Sequence, residues 1–378
     1  MSEELARLFE AFDRQRLSRR QLFAALGIAA AIRPVSLFAQ GQCGGARAGT
    51  PECDTTPAKL PFEATGWKTV LLDHFSCQVA DYQKEAAYYA ALMNWKIRSD
   101  DGKQAVLDIG DWGGLVLRGG YAPPPPPPPP ADAPPAGAPA GGGRGGGRGG
   151  PRAPRLALFD NFCWGIEPWN AKKVEAELRK RGLDPVADNQ GKDFQSFHVK
   201  DPDGFDLQIS NGSRKNRRRE PASGKVAAAA PFEPTNWKSI WLDHISFEVT
   251  NYKESVAFYT ALLGWKPGTD EGSQNQCEIG DVGDVIIRRG NRGAAAGSAP
   301  AVRRAAIGHI AFGISPFDPD DVQKELEKRG LTARVDTGGR GDIHTANYKS
   351  YHTTTPNGFD LQISATTRAT RSGSTITG

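Results

Sequence analysis

Six histidines carry the most versatile chemistry in this chain of 378 residues. A neutral imidazole ligates transition metals, and the same ring moves protons near neutral pH. The histidines are patterned. His74 and His244 each close a Leu-Asp-His triplet, and His198 and His352 stand as twins in later segments. His309 has Asn161 as its twin, so one copy of the pattern keeps two histidines where the other keeps one. Two readings follow. His244 and His309 bind a metal, or they hydrogen-bond to one another inside an apolar cleft with no metal at all.

The pattern exists because the chain repeats itself. Residues 62–82 and 232–252 agree at eleven of 21 positions with a constant offset of 170. The echo continues through Trp95 and Trp265, and through Arg118 and Arg288. It returns as LRKRGL against LEKRGL and as PDGFDLQIS against PNGFDLQIS. An internal repeat of this length implies two copies of one domain, each able to bury a core. The expected domains span 62–212 and 232–366, joined by a basic and alanine-rich linker at 213–231.

Bulk properties narrow the function classes. Lys and Arg number 47 against 43 Asp and Glu, a net charge of +4. That balance creates no global field demanding nucleic acid or an anionic membrane, and no nucleic-acid partner is expected. The Pro123–Pro130 run and the GGGRGGGRGG tract read as a stiff-then-flexible insertion over 121–155. Five cysteines do not make a disulfide scaffold at this size. Cys77 and Cys163 sit in apolar, strand-like runs and read as buried thiols. Cys43 and Cys53 could pair in an oxidising compartment.

The N-terminus points to such a compartment. Ser18-Arg19-Arg20-Gln21-Leu22-Phe23 precedes an apolar run from Ala24 to Ile32, and Phe38-Ala39 offers a cleavage point. The arrangement resembles a twin-arginine export signal. The expectation is a signal peptide over 1–40, an exported linker over 41–61, and a periplasmic protein with no membrane segment once the signal is cut. Residues 367–378 are expected to be a disordered tail.

Within each repeat the first half reads β-α-β-β-β. Val70–Val79 or Ile240–Val249 is strand-like, and Gln83–Met93 or Lys253–Leu263 is helical, with Val256, Tyr259 and Leu263 at three- and four-residue spacing. Asn94 and Gly264 stand where a helix ends in the left-handed conformation. The second half repeats the order, from Phe159–Ile166 or Ile307–Ile314 to a last strand at Phe205–Ser210 or Phe359–Ser364. Asp203-Gly204 and Asn357-Gly358 are turn signals just before it.

Four β-α-β-β-β modules resemble the vicinal oxygen chelate superfamily, which includes glyoxalase I, bleomycin- and fosfomycin-resistance proteins and type I extradiol dioxygenases. The residues carrying the resemblance are Leu-Asp-His at 72–74 and 242–244, IGHIAF at 307–312, and DPDGFDLQ and TPNGFDLQ near the repeat ends. The resemblance implies an α+β fold of two tandem domains, each of two βαβββ modules forming a U-shaped mixed sheet around a cleft. It also implies a metal site in the second repeat at His244, His309 and Gln362, and a divalent transition metal such as Fe2+, Mn2+, Ni2+ or Zn2+. Gln362 stands where the family places a glutamate, which removes a charge that a divalent cation favours. His344 and His352 fall near the family's acid/base groups and are the catalytic candidates. The first repeat offers His74, Asn161 and Gln208, a degenerate set.

The expected function is a metal-dependent enzyme of glyoxalase or dioxygenase type, acting on a small substrate with neighbouring oxygens. The alternative is a metal-free protein that sequesters a small molecule in the manner of the drug-resistance members. The repeats pair either with each other or across a homodimer.

Overall fold

The structure is a computed structural model that describes residues 55–123, 156–188, 193–214, 224–290, 305–339 and 341–370. The expected signal segment, Cys43, Cys53, most of the insertion at 121–155, the basic run beyond Arg214 and the end of the tail lie outside the described residues. Among the described residues no helix is long and apolar enough to cross a membrane.

The first repeat runs β1 (Lys68–Val79), α1 (Tyr82–Leu92), β2 (Lys96–Asp100), β3 (Gln104–Ile109), β4 (Gly113–Arg118), β5 (Ala157–Glu167), α2 (Ala171–Lys180), β6 (Val186–Ala187), β7 (Ser196–Lys200) and β8 (Asp206–Ser210). The second runs β9 (Lys238–Val249), α3 (Tyr252–Leu263), β10 (Lys266–Asp270), β11 (Gln274–Ile279), β12 (Gly283–Arg289), β13 (Ala306–Ser315), α4 (Pro319–Lys328), β14 (Arg334–Asp336), β15 (Ser350–Thr354) and β16 (Asp360–Ser364). These are the four expected βαβββ modules, and the fold class is α+β. Each repeat makes one eight-stranded mixed sheet, ordered β2-β3-β4-β1-β5-β8-β7-β6 and β10-β11-β12-β9-β13-β16-β15-β14. The two modules of a repeat meet through an antiparallel central pair, β1 with β5 and β9 with β13.

Local chemistry sets the element ends. Asp81 and Asn170 cap α1 and α2 by accepting from the backbone N–H groups of Lys84 and Lys173, and Asp318 does the same for α4. Gly264 ends α3 at φ 69°, and a Cβ there would sit 2.3 Å from the Trp67 carbonyl oxygen of the other repeat. Glycine meets both demands at once.

Strand alternation divides each central strand into two faces. Phe75, Cys77 and Val79 in β1, and Ile245, Phe247 and Val249 in β9, join one apolar core that spans both repeats. Aromatic rings carry that core across the boundary. Trp164 meets Trp265 at a centroid distance of 5.4 Å and Trp95 meets Phe312 at 5.1 Å. Each such pair adds roughly 0.5–1.5 kcal/mol beyond its buried area.

Polar contacts across the boundary are reciprocal. Trp95 Nε1 donates to Ser239 Oγ at 2.8 Å, and Trp265 Nε1 donates to Thr69 Oγ1 at 3.1 Å. Thr65 N donates to the Ala261 carbonyl at the end of α3, and Thr235 N donates to the Ala91 carbonyl at the end of α1, both at 2.9 Å. Glu85 on α1 accepts from Asn357 Nδ2 at 2.7 Å, while Asp201 accepts from Tyr259 on α3. Each repeat's first helix is thus bonded to the turn before the other repeat's last strand. The opposite, polar face of each sheet is left to hold the histidines.

Candidate metal centre

Two β-bulges shape the polar face of the second sheet. One step along β13, from Ala311 to Phe312, matches two steps along β9, from His244 to Leu242, so Asp243 is the extra residue. Gly308 is the extra residue on β13, between Ile307 and His309. Adjacent strand residues ordinarily face opposite ways, and a bulge re-aims them. Here it lets the Asp243 carboxylate turn to its own neighbour, with Asp243 Oδ1 3.3 Å from His244 Nδ1.

The register then sets a row across four strands. His244 pairs with Ala311, Ala311 with Gln362, and Gln362 with His352. His309 lies two residues from Ala311 on the same strand, opposite Ser246. The Nε2 atoms of His244 and His309 stand 3.0 Å apart. Two nitrogens each about 2.1 Å from one metal, at a right angle, are separated by about the same distance.

Burial and neighbouring charge prepare these groups. His244 and Asp243 are buried, and Asp243 takes a second hydrogen bond from Tyr348 Oη at 3.0 Å. Burial works against charge on Asp243, but the His244 bond and further donors outweigh it and hold the carboxyl below its ordinary range. A carboxylate at Nδ1 keeps the proton there and leaves the lone pair on Nε2, the arrangement of a ligating histidine. Burial pushes the pKa of His309 well down, and the nearby Arg288 guanidinium pushes the same way. His309 is therefore neutral at physiological pH, as a ligand must be.

Gln362 is fully buried, and its amide nitrogen is over-supplied with acceptors: Ser350 Oγ at 2.7 Å, Tyr348 Oη at 3.0 Å and Asp336 Oδ2 at 3.3 Å. The Asp336 carboxylate can only accept from it, which fixes which end of the amide is nitrogen. The other end, Oε1, is buried with no hydrogen-bond partner. Leaving a buried acceptor unsatisfied costs about 1–3 kcal/mol unless something meets it. Two imidazole nitrogens and an orphaned amide oxygen on one face form a donor set that fits a divalent transition metal.

The two acid/base candidates fare differently. His352 joins the row, with its ring 5.1 Å from that of His309. Both of its nitrogens are engaged: Nδ1 is 2.8 Å from Asp360 Oδ1 and Nε2 is 3.1 Å from Asp336 Oδ2. Burial disfavours charge on the ring, yet the two carboxylates win and its pKa is raised. The two carboxylates hold the ring from both sides. His198 repeats the arrangement in the first sheet, between Asp206 and Asp188. His344 does not reach the row. It sits in the loop after β14 with its side chain 55% exposed, 3.7 Å from Asp320 in the first turn of α4. The structure thus places His344 beside α4, away from the His244–His309 pair.

Asp336, Tyr348 and Ser350, which hold Gln362, were not singled out from the sequence. Asp336 was findable, because Asp188 holds the same place in the first repeat and contacts Gln208 Nε2 at 3.5 Å. Tyr348 had no such signal.

Residues 241–363 match the family described as Glyoxalase/Bleomycin resistance protein/Dioxygenase superfamily. The sequence matches no curated protein. Among solved structures, the Mn(II)-bound glyoxalase from Novosphingobium aromaticivorans is similar at a TM-score of 0.50 and 16% identity, over 79% of this chain and 82% of that one. A catechol 2,3-dioxygenase is similar at a TM-score of 0.50 and 13% identity, over 79% and 88%. Those likenesses are of fold. The residues that match the family model include both His244 and His309.

Proposed function

We propose that the second repeat binds one divalent transition metal through His244 Nε2, His309 Nε2 and Gln362 Oε1, and that the chain is an exported enzyme acting on a small substrate with two neighbouring oxygens. The observation that carries this reading is the 3.0 Å approach of the two Nε2 atoms, together with a buried, orphaned Oε1 on Gln362 in the same row of the sheet.

The chain's own residues prepare the site. Asp243 orients His244 and keeps its proton on Nδ1. Tyr348 bridges Asp243 and Gln362, so one hydroxyl couples the imidazole to the amide. His352 holds Asp336, and Asp336 holds the Gln362 nitrogen. When bound, the metal would supply Lewis acidity, drawing charge from two oxygens of a chelated substrate. All three proposed ligands are neutral, so no ligand would offset the charge of the metal, which favours a substrate that arrives as an anion.

One observation favours a second reading. At 3.0 Å the two imidazoles can also hydrogen-bond directly, which suits a metal-free binding protein. Metal content separates the two. A fall of about one equivalent of transition metal per untagged chain in His309→Ala supports the enzyme. The same metal content in both proteins after reconstitution with iron, manganese and zinc, together with stabilisation by small ligands alone, supports the binding protein. Export is tested separately, by recovery of the folded chain from the periplasm and its loss on Arg19→Lys with Arg20→Lys.

A further inference from the structure

We propose that the first repeat is not a worn copy but holds a second metal site of different chemistry, a zinc site built from Asp73, His74 and Cys163. It is independent of the reading of the second repeat.

The first sheet reproduces the row of the second. His74 pairs with Cys163, Cys163 with Gln208, and Gln208 with His198. Two positions have changed. Asn161 replaces the second imidazole, and its amide nitrogen lies 3.3 Å from both a carboxylate oxygen and the backbone carbonyl of Asp206. One place further along the same face, Cys163 stands where the second repeat has Ala311. The sulfur is therefore next to the retained histidine, in the centre of the row.

A bulge completes the set. Asp73 is the extra residue between Leu72 and His74, as Asp243 is in the other repeat. Its carboxylate approaches His74 Nδ1 at 2.8 Å. One nitrogen of His74, the Cys163 sulfur and an Asp73 oxygen all lie within 4.8 Å of one another. Among the described cysteines, Cys163 alone is grouped with an imidazole and a carboxylate. Cys77, by contrast, lies in the apolar core.

Depth suits a site loaded from solvent. Cys163 is fully buried, while the side chains of His74 and Asp73 are 17% and 21% exposed. The sulfur forms the floor, and the imidazole and carboxylate form the rim. One soft, one borderline and one hard donor select a borderline cation that accepts all three in tetrahedral geometry, which is zinc. Three protein ligands leave a fourth position for water. Binding exchanges the thiol proton for the metal: Cys–SH and Zn2+ give Cys–S–Zn+ and H+, with no electron transferred.

The test uses the untagged full chain loaded with Co2+, and separately with Zn2+. Cobalt bound to a thiolate gives a sulfur-to-metal charge-transfer absorption in the near ultraviolet, which a site of two imidazoles and an amide cannot give. The expected result is that band in the wild type, its loss in Cys163→Ala, and its persistence in His309→Ala. Zinc by equilibrium dialysis should fall by one equivalent per chain in Cys163→Ala, and His74→Gln should weaken zinc at least tenfold. Ala311 shows that the equivalent strand position accepts alanine, and His74→Gln changes a partly exposed residue, so the loss is separable from misfolding. No thiolate band in the wild type, or a band that survives Cys163→Ala, overturns the proposal. A null result for His309→Ala would count against the second-repeat reading and leave this one standing.

Discussion

Tyr259 Oη donates a 2.9 Å hydrogen bond to Asp201 Oδ2, joining a helix of the second repeat to the last turn of the first. Burial nevertheless pushes the Asp201 carboxyl up to about 6, against the help of Phe205 N–H and Tyr259. The folded chain therefore holds this proton more tightly than the unfolded chain, whose carboxyl titrates near the usual ~3.9. The stability this group supplies is full below about pH 4 and is lost as pH rises through about 6, on the order of 2–3 kcal/mol in all. Asp201→Asn keeps the shape without the titration. Urea unfolding at pH 4.5 and pH 7 should show the variant gaining on the wild type at the higher pH; a constant difference between the two would exclude Asp201 as the source.

Asp243→Asn leaves His244 in place but weakens the hold on its tautomer. Outer-shell carboxylates of this kind are worth about 10–100-fold in metal affinity. A drop of that size in metal affinity, with an unchanged near-ultraviolet circular dichroism spectrum, is the expected result. An unchanged affinity would mean that His244 is not a ligand.

Gln362→Glu supplies the carboxylate that the family resemblance leads one to expect, but in a place that resists it. The new oxygen would replace an amide nitrogen 3.3 Å from Asp336 Oδ2. Two carboxylates that close cannot both ionise without penalty. The metal-free variant should therefore melt below the wild type, and Mn2+ should raise its Tm by more than it raises that of the wild type. Equal shifts in the two proteins would place the metal away from residue 362.

Gly313 and its twin Gly165 let the chain after each last strand cross against the central strand. A Cβ at Gly313 would stand 1.9 Å from the Thr366 carbonyl oxygen, and one at Gly165 would stand 1.8 Å from that of Gly212. Backbone must move to admit either. Gly313→Ala should destabilise by about 1–3 kcal/mol in urea titration, while Gly204→Ala, with open space around its Cβ, tests the separate penalty of its φ of 79°.

Much of the fold was legible because the chain is its own alignment. Helix ends at Asn94, Gly182, Gly264 and Gly330 all fall at positive φ, as their residue types require. The short strands β6 and β14 were not legible, since two or three residues carry no period and their pairing is set by Asp188 and Asp336 gripping a histidine on the next strand. Of the site residues, His244, His309 and Gln362 share a face because register and alternation are sequence properties. The position of His344 has the opposite cause. It lies in a loop held by local bonds to Asp342 and by Lys349, where spacing along the chain says nothing about direction.

Both sheets being drawn from one polypeptide has a consequence for what the two clefts are free to become. In a dimer of two separate, identical repeats, any change on one polar face is imposed on the other. His309 opposite Asn161, or Ala311 opposite Cys163, could not coexist there. The reciprocal bonds of Trp95 and Trp265 keep the pair together as symmetry-related subunits would be kept, while the covalent join lets each half specialise. The chain has the packing of a symmetric dimer and the division of labour of a heterodimer.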